Sequence, residues 1–287
     1  MTSTDLTSDA PTVSQRYELV IRPHSIVSLA DLSDIWQYRE LLWTLTARDI
    51  RVRYKQAAFG ILWAAIQPLA QMLIFTILFS RLAGIRADVP APYAMFCLAG
   101  TVIWTLFSTG LGQASNSLVE NEKVISKVYF PRIIIPLSSV LVAGMDFVIG
   151  FTLLLIIMPF FGLPLYLSIV LAPMFAILAA LCALAIGVWT SAINIQFRDV
   201  RYALPFFLQL LIFVTPVFYP PSLVPERYRF LLLLNPMSAV VDGFRAALFG
   251  LPLPWARLGL SFAAALVVTL AGFLYFRRME QSFADRV

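Results

Sequence analysis

Six stretches of this chain are long and apolar enough to cross a lipid bilayer: residues 60–80, 93–112, 133–161, 167–192, 203–223 and 258–276. A spanning helix needs about 20 mostly apolar residues. None of the six alternates as the strand of a closed barrel would, so each is read as a helix. The expected fold class is an all-α polytopic membrane protein with six transmembrane helices. The composition permits little else, since 60% of the 287 residues are hydrophobic and only 13% are charged. Soluble domains carry about 25% charged residues. A water-soluble enzyme, a disordered chain and a disulfide scaffold are excluded. Cys97 and Cys182 both sit in apolar runs and read as small buried hydrophobes.

Charge sets the expected topology. The chain has 21 Lys and Arg against 16 Asp and Glu. With six spans and the N-terminus inside, only Arg81, Arg86, Arg227, Arg229, Arg245 and Arg257 would face outward. The positive-inside rule therefore places both termini in the cytoplasm of a multi-pass inner-membrane protein. The same charge excess is topological and does not indicate a nucleic-acid partner. Residues 1–35 form a polar cytoplasmic segment without the apolar core of a cleavable signal, so the first span directs insertion. Residues 58–279 form the membrane domain and 280–287 a cytoplasmic tail.

Residues 36–57 read as an amphipathic interface helix. At 100° per residue, Trp36, Trp43, Ala47, Ile50 and Tyr54 fall on one stripe, and Arg48, Arg51 and Lys55 on another face. Such a helix lies at headgroup level with its cations near anionic lipid. It could steer a lipid-linked anion toward a lateral opening, which makes Trp43, Arg48, Arg51, Tyr54 and Lys55 candidates for substrate admission. Between the fifth and sixth spans, 230–241 is apolar but short, and Gly250, Pro252 and Pro254 follow. Broken apolar pieces of this kind suggest re-entrant half-helices. After the second span, residues 115–130 read as a short amphipathic helix that stops before Pro131, suited to docking a soluble partner. Arg198, Asp199 and Arg201 mark the next inner loop.

Several chemistries are missing. No Gly-x-x-x-x-Gly-Lys-Ser/Thr run occurs, so no P-loop hydrolyses ATP in this chain. The single histidine, His24, lies outside the spans, and no Cys/His spacing suits a metal. No paired acids sit within the spans, as a pyrophosphate-handling enzyme would want. An enzyme is therefore not expected, and the chain is read as holding no cofactor or metal of its own. One acid, Asp146, falls near the middle of the third span. An ionised carboxylate is costly there, so it is a functional candidate. Structural pairing, with Gln67, Gln71, Gln209 or Asn194 as partners, contact with substrate, and proton coupling are all open readings. The rings Phe59, Trp63, Trp104, Phe107 and Phe213 lie in or beside the spans and are candidates to line a glycan path, since sugar faces stack on aromatic rings.

Several motifs, in order, carry a resemblance. Tyr38–Gln56 followed by Phe59–Pro68, then Lys127-Val-Tyr-Phe-Pro131-Arg132, Phe197-Arg-Asp-Val-Arg201, Leu234-Asn-Pro-Met237 and Gly243-Phe-Arg245 are similar to the membrane subunits of polysaccharide ABC exporters. These form the O-antigen, teichoic-acid and capsule branch of the ABC type-2 permeases. The likeness runs from about Val20 to Met279. It implies a homodimer and two copies of a soluble ATPase subunit that holds ATP and Mg. It also implies a coupling helix at Glu120, Glu122, Lys123 and Lys127, and a lipid-linked polysaccharide as cargo. A drug or small-lipid exporter is the nearest alternative, with a proton-coupled carrier using Asp146 behind it.

Overall fold

A computed structural model describes residues 36–55, 60, 62–128 and 130–283, with side chains up to Phe276. Among the described residues the secondary structure is helical, with no strand. The α-helices are α1 (Arg39–Lys55), α2 (Leu62–Phe75, continued by a π-helical stretch Thr76–Leu82), α3 (Tyr93–Glu120), α4 (Glu122–Ile125) and α5 (Ile134–Ile157). They continue with α6 (Ala172–Gln196), α7 (Val200–Val214), α8 (Arg229–Leu234), α9 (Pro236–Phe249) and α10 (Trp255–Phe283).

The centre of the bundle is α3. Its 28 residues make a rod about 42 Å long at 1.5 Å per residue. It is packed on α5, α6, α2 and α9, while α10 lies on α6 and α9. Small residues let these helices approach closely. A methyl at Gly187 of α6 would lie 2.6 Å from the Cβ of Ala114 on α3. Lipid tails offer no hydrophobic drive between helices, so close backbone packing and interhelical hydrogen bonds carry association. One such bond set is Asn194 of α6, whose Nδ2 donates to the Ser115 carbonyl and to Asn116 Oδ1, both at 3.0 Å.

Five helical segments have the length and apolar composition of a span: 62–82, 93–120, 134–161, 167–196 and 255–276. The fifth stretch expected from the sequence is shorter than foreseen. α7 has 15 residues and stops at Val214 because Thr215 precedes Pro216 and adopts the extended backbone that a following proline imposes (ψ 134°). It still joins the two ends of the bundle. It follows the end of α6 beside Arg198 and finishes where α9 and the start of α3 meet. The second span also runs longer than expected: α3 continues to Glu120, so residues 115–120 extend it and are not a separate loop helix.

The segment before the last span, expected to be re-entrant, is bent as a broken span or a re-entrant loop would be. The pieces 226–234 and 236–249 meet at 94°. Several partners of α9 belong to the end of the bundle opposite Arg198: Phe96 at the start of α3, Pro216 and Val217 after α7, Ser168 before α6, and the Phe175 ring early in α6. Its Phe244 ring also meets Phe147 and Phe151 of α5. At the other, basic end, Leu45 of α1 and Phe276 of α10 share one apolar cluster with Leu118, Phe130 and Ile134. The first and last described helices thus meet at one end, as an even number of crossings requires.

The packing makes a contrast that can be measured. Gly187→Val should lower the unfolding temperature in detergent and cost about 1–3 kcal/mol through overpacking. Gly112→Ala, with open space around it, should leave the melting curve unchanged.

Candidate functional site

Asp146 is 7% exposed and lies on the face of α5 that meets α1. A carboxylate at that depth needs a compensating charge. Arg53 supplies it, with Nη2 2.7 Å from Oδ2, and the Tyr54 hydroxyl donates to Oδ1. Gln113 of α3, with its amide turned to satisfy both ends, accepts from Arg53 and donates to the Ser139 carbonyl at 3.2 Å. The partners foreseen from sequence, Gln67, Gln71, Gln209 and Asn194, are therefore replaced by two residues of the preceding helix. The reason is energetic: an amide can only hydrogen-bond to the carboxylate, whereas a guanidinium also cancels its charge.

This pairing tells how α1 sits. Arg48 reaches Asn121 at the basic end of α3 (2.9 Å). Arg53, five residues further, meets Gln113, two turns further up the same helix. α1 therefore climbs along the bundle. Tyr54 turns inward to the acid, away from the headgroup-level stripe expected for it. Trp43 is 69% exposed, and Arg48, Arg51 and Lys55 stay on the outer surface.

Beside the ion pair is a cavity of about 210 Å³, lined by Arg53, Tyr54, Trp63, Gln67, Thr105, Thr109 and Asp146. Its hydroxyls belong to a stripe on the face of α3 that is not fully buried: Thr105, Thr109, Gln113 and Asn116, spaced three or four residues apart, with Ser108 beside Thr109. The opposite faces of α3 are buried and apolar. The niche thus combines a neutralised ion pair, hydroxyls, amides and an indole, a set suited to hydrogen-bonding and stacking against polyols.

At the basic end, α3 breaks at Asn121 and α4 makes one turn. Glu120, Glu122, Lys123 and Lys127 are all exposed there. Ile125, Lys127, Val128, Phe130 and Arg132 line a second cavity of about 260 Å³. Val124 and Ile125 pack back on the apolar cluster that holds Leu45 and Ile134. The charged face is left outward on a platform anchored to α1, α3 and α5.

At the opposite end, Arg245 is 2% exposed. Its guanidinium donates to three carbonyls, Phe96 (3.2 Å), Pro216 (2.7 Å) and Val217 (2.5 Å), and lies 3.5 Å over the Phe96 ring. Asn235 caps α9 through the Met237 amide (3.1 Å) and donates to Thr215 (2.8 Å). Gly100 gives this clasp its room, since a Cβ there would stand 2.3 Å from Nη2 of Arg245. Counting Arg245 among outward-facing loop charges missed this. The signal available was its place inside an apolar helical run.

With this geometry in hand, comparison with known proteins is decisive at the family level. The profile of the ABC-2 type transporter family matches residues 40–249. The chain belongs to the ABC-2 type transporters. The O-antigen export system permease protein RfbA of Myxococcus xanthus is 31% identical over 257 residues, covering 88% of this chain and 98% of the relative. RfbA of Klebsiella pneumoniae is 26% identical over 247 residues, covering 86% and 94%. The polysialic acid transport protein KpsM of Escherichia coli is 25% identical over 207 residues, covering 71% and 79%. This ABC-2 permease is thus a multi-pass membrane protein with O-antigen export permeases and a polysialic acid transport protein among its relatives.

The rings expected to line a path divide in two. Trp63 and Phe213 are each 54% exposed, and Trp63 faces the Asp146 cavity. Trp104 and Phe107 are 4% and 1% exposed and pack against each other in the core, at 5.2 Å between centroids. They leave the set of path rings because the apolar faces of α3 are covered by α5 and α6. Phe59 lies outside the described residues.

Two outcomes follow from the ion pairs. Asp146→Asn should loosen α1, seen as faster amide exchange in Arg39–Lys55, and cost about 1–3 kcal/mol, below the usual range for a fully buried pair because Arg53 is partly solvated. Arg53→Gln combined with Asp146→Asn should recover part of that loss. Arg245→Met should abolish folded yield in size-exclusion profiles, since the buried Pro216 and Val217 carbonyls lose their donor at about 1–3 kcal/mol each.

Proposed function

We propose that this permease is the transmembrane subunit of an ATP-driven exporter of a lipid-linked polysaccharide, of O-antigen, capsule or teichoic-acid type. It works as a homodimer with two copies of a soluble nucleotide-binding ATPase, in the bacterial inner membrane, with both termini in the cytoplasm. The named relatives support a polysaccharide cargo. The observation that carries the reading is the polar stripe of α3 beside the Trp63 cavity. Hydroxyl and amide groups on an otherwise apolar central helix offer a long glycan successive weak contacts, and no single tight site that would stop its movement.

In this reading ATP stays on the partner, and the exposed Glu120, Glu122, Lys123 and Lys127 receive it. The push reaches α3 directly through Asn121 and α1 through the bond from Arg48 to that residue. Two partner states with different contacts there select two arrangements of the spans. Trp43, Arg48, Arg51 and Lys55, exposed on α1, meet the lipid carrier's phosphate at headgroup level. Tyr54 serves on the inner side of the same helix. A proton-coupled carrier built on Asp146 is disfavoured because that carboxylate is held by Arg53 and Tyr54. A drug or small-lipid exporter would not need the extended polar stripe.

Glu122→Ala with Lys123→Ala should leave ATP hydrolysis by the partner intact and reduce export about tenfold, equal to about 1.4 kcal/mol of coupling. Normal export by this double variant would remove the coupling role from these residues. Reconstitution with and without the ATPase tests the class. The permease alone in liposomes should move no glycan, and glycan transport without ATPase would overturn the proposal.

A further inference from the structure

At the end opposite α4, a pocket of about 440 Å³ opens between α8, α9 and the first turns of α10. It is separate from the path proposed above, since α10 lies on α6 and α9, away from the polar stripe of α3. Most of its wall is apolar, with Phe230, Leu233 and Ala239. Its polar groups, Ser222, Arg229, Ser238, Asp242, Arg257 and Ser261, are unevenly satisfied.

Ser238 is 3% exposed, and its hydroxyl has no hydrogen-bond partner. A buried hydroxyl left unpaired is costly, so the site calls for a polar group from outside the chain. The charges point to the sign of that group. Asp242 lines the pocket but is already matched by Arg257 at 3.0 Å. Arg229 meets only a loose carboxylate, Glu226, at 3.7 Å and 89% exposed. Such a pair contributes little in water. The Arg229 Nε donates to the Val224 carbonyl at 3.2 Å, which holds the guanidinium in place. The pocket thus offers one surplus positive charge, one orphan hydroxyl and a wide apolar wall.

We infer that this pocket binds an anionic phospholipid of the leaflet opposite α4. Its phosphodiester sits against Arg229 and Arg257, its phosphate oxygen accepts from Ser238, and its first methylenes lie along Phe230 and Leu233. Guanidinium pairs suit phosphate oxygens, and basic pockets between membrane helices bind anionic headgroups. The apolar wall favours an amphiphile over free phosphate. The inference does not depend on what the permease exports.

Full-length protein in detergent, given equal amounts of phosphatidylglycerol and phosphatidylcholine, should retain phosphatidylglycerol selectively in native mass spectrometry. Arg229→Gln with Ser238→Ala should reduce that retention about tenfold at an unchanged unfolding temperature. Should the double variant melt early, Arg229→Glu alone, at a half-exposed position, provides the reading. Equal retention of the two lipids, or retention unaffected by either variant, overturns the site. Inorganic phosphate at millimolar concentration should not displace the lipid; displacement by it would overturn the amphiphile. Polyprenyl phosphate that displaces phosphatidylglycerol at equal concentration would assign the pocket to the lipid carrier and overturn the phospholipid.

Discussion

A polar or charged atom cut off from water inside this bundle is costly unless a partner answers it. Three such answers hold the fold together, at three heights along α3. Near the basic end, Asn194 joins α6 to α3 through Ser115 and Asn116. Further along, Asp146 ties α5 to α1 through Arg53 and Tyr54. At the opposite end, Arg245 joins α9 to α3 and to the segment after α7. Apolar contacts fill the space between these points but do not choose partners, because lipid tails compete for the same surfaces.

The central place of α3 follows from its small residues as much as from its length. Gly100 makes room for a guanidinium, Gly110 faces Ala143 and Ala183, and Ala114 meets Gly187. Larger residues at these points would separate α3 from the neighbours that hide its apolar faces. The one face left open is the polar one. The same helix is thus a packing core on most sides and a hydrophilic surface on the other, and it leads without interruption to the charged turn at Asn121 and α4.

Much of this was legible in the sequence. The long apolar runs located four of the five long spans to within a few residues and the start of the remaining one, which runs eight residues further, to Glu120, and Pro and Gly around 236–254 marked α8 and α9 as broken pieces. The motifs pointed to the right family. The misses share a physical cause. A helical wheel shows which residues share a face, but not what that face meets, so Tyr54 was assigned to headgroups when it binds an acid. Counting charges by loop put Arg245 in water because its three carbonyl partners are distant in sequence, 149 residues away for Phe96. Trp104 and Phe107 looked like path rings because hydropathy cannot separate a core-facing aromatic from a lumen-facing one. α7 was drawn too long because its apolar run continues past Pro216, although the backbone does not.

The Arg245 clasp has a temporal side. The carbonyls of Phe96, Pro216 and Val217 emerge from the ribosome well before the guanidinium that will cover them. Until α9 arrives, the Pro216 and Val217 oxygens depend on water or on transient neighbours, while that of Phe96 is already bonded within α3. Completion of the clasp therefore waits for α9, a short helix late in the chain. A chain that ended before residue 245 would lack the donor for the Pro216 and Val217 carbonyls.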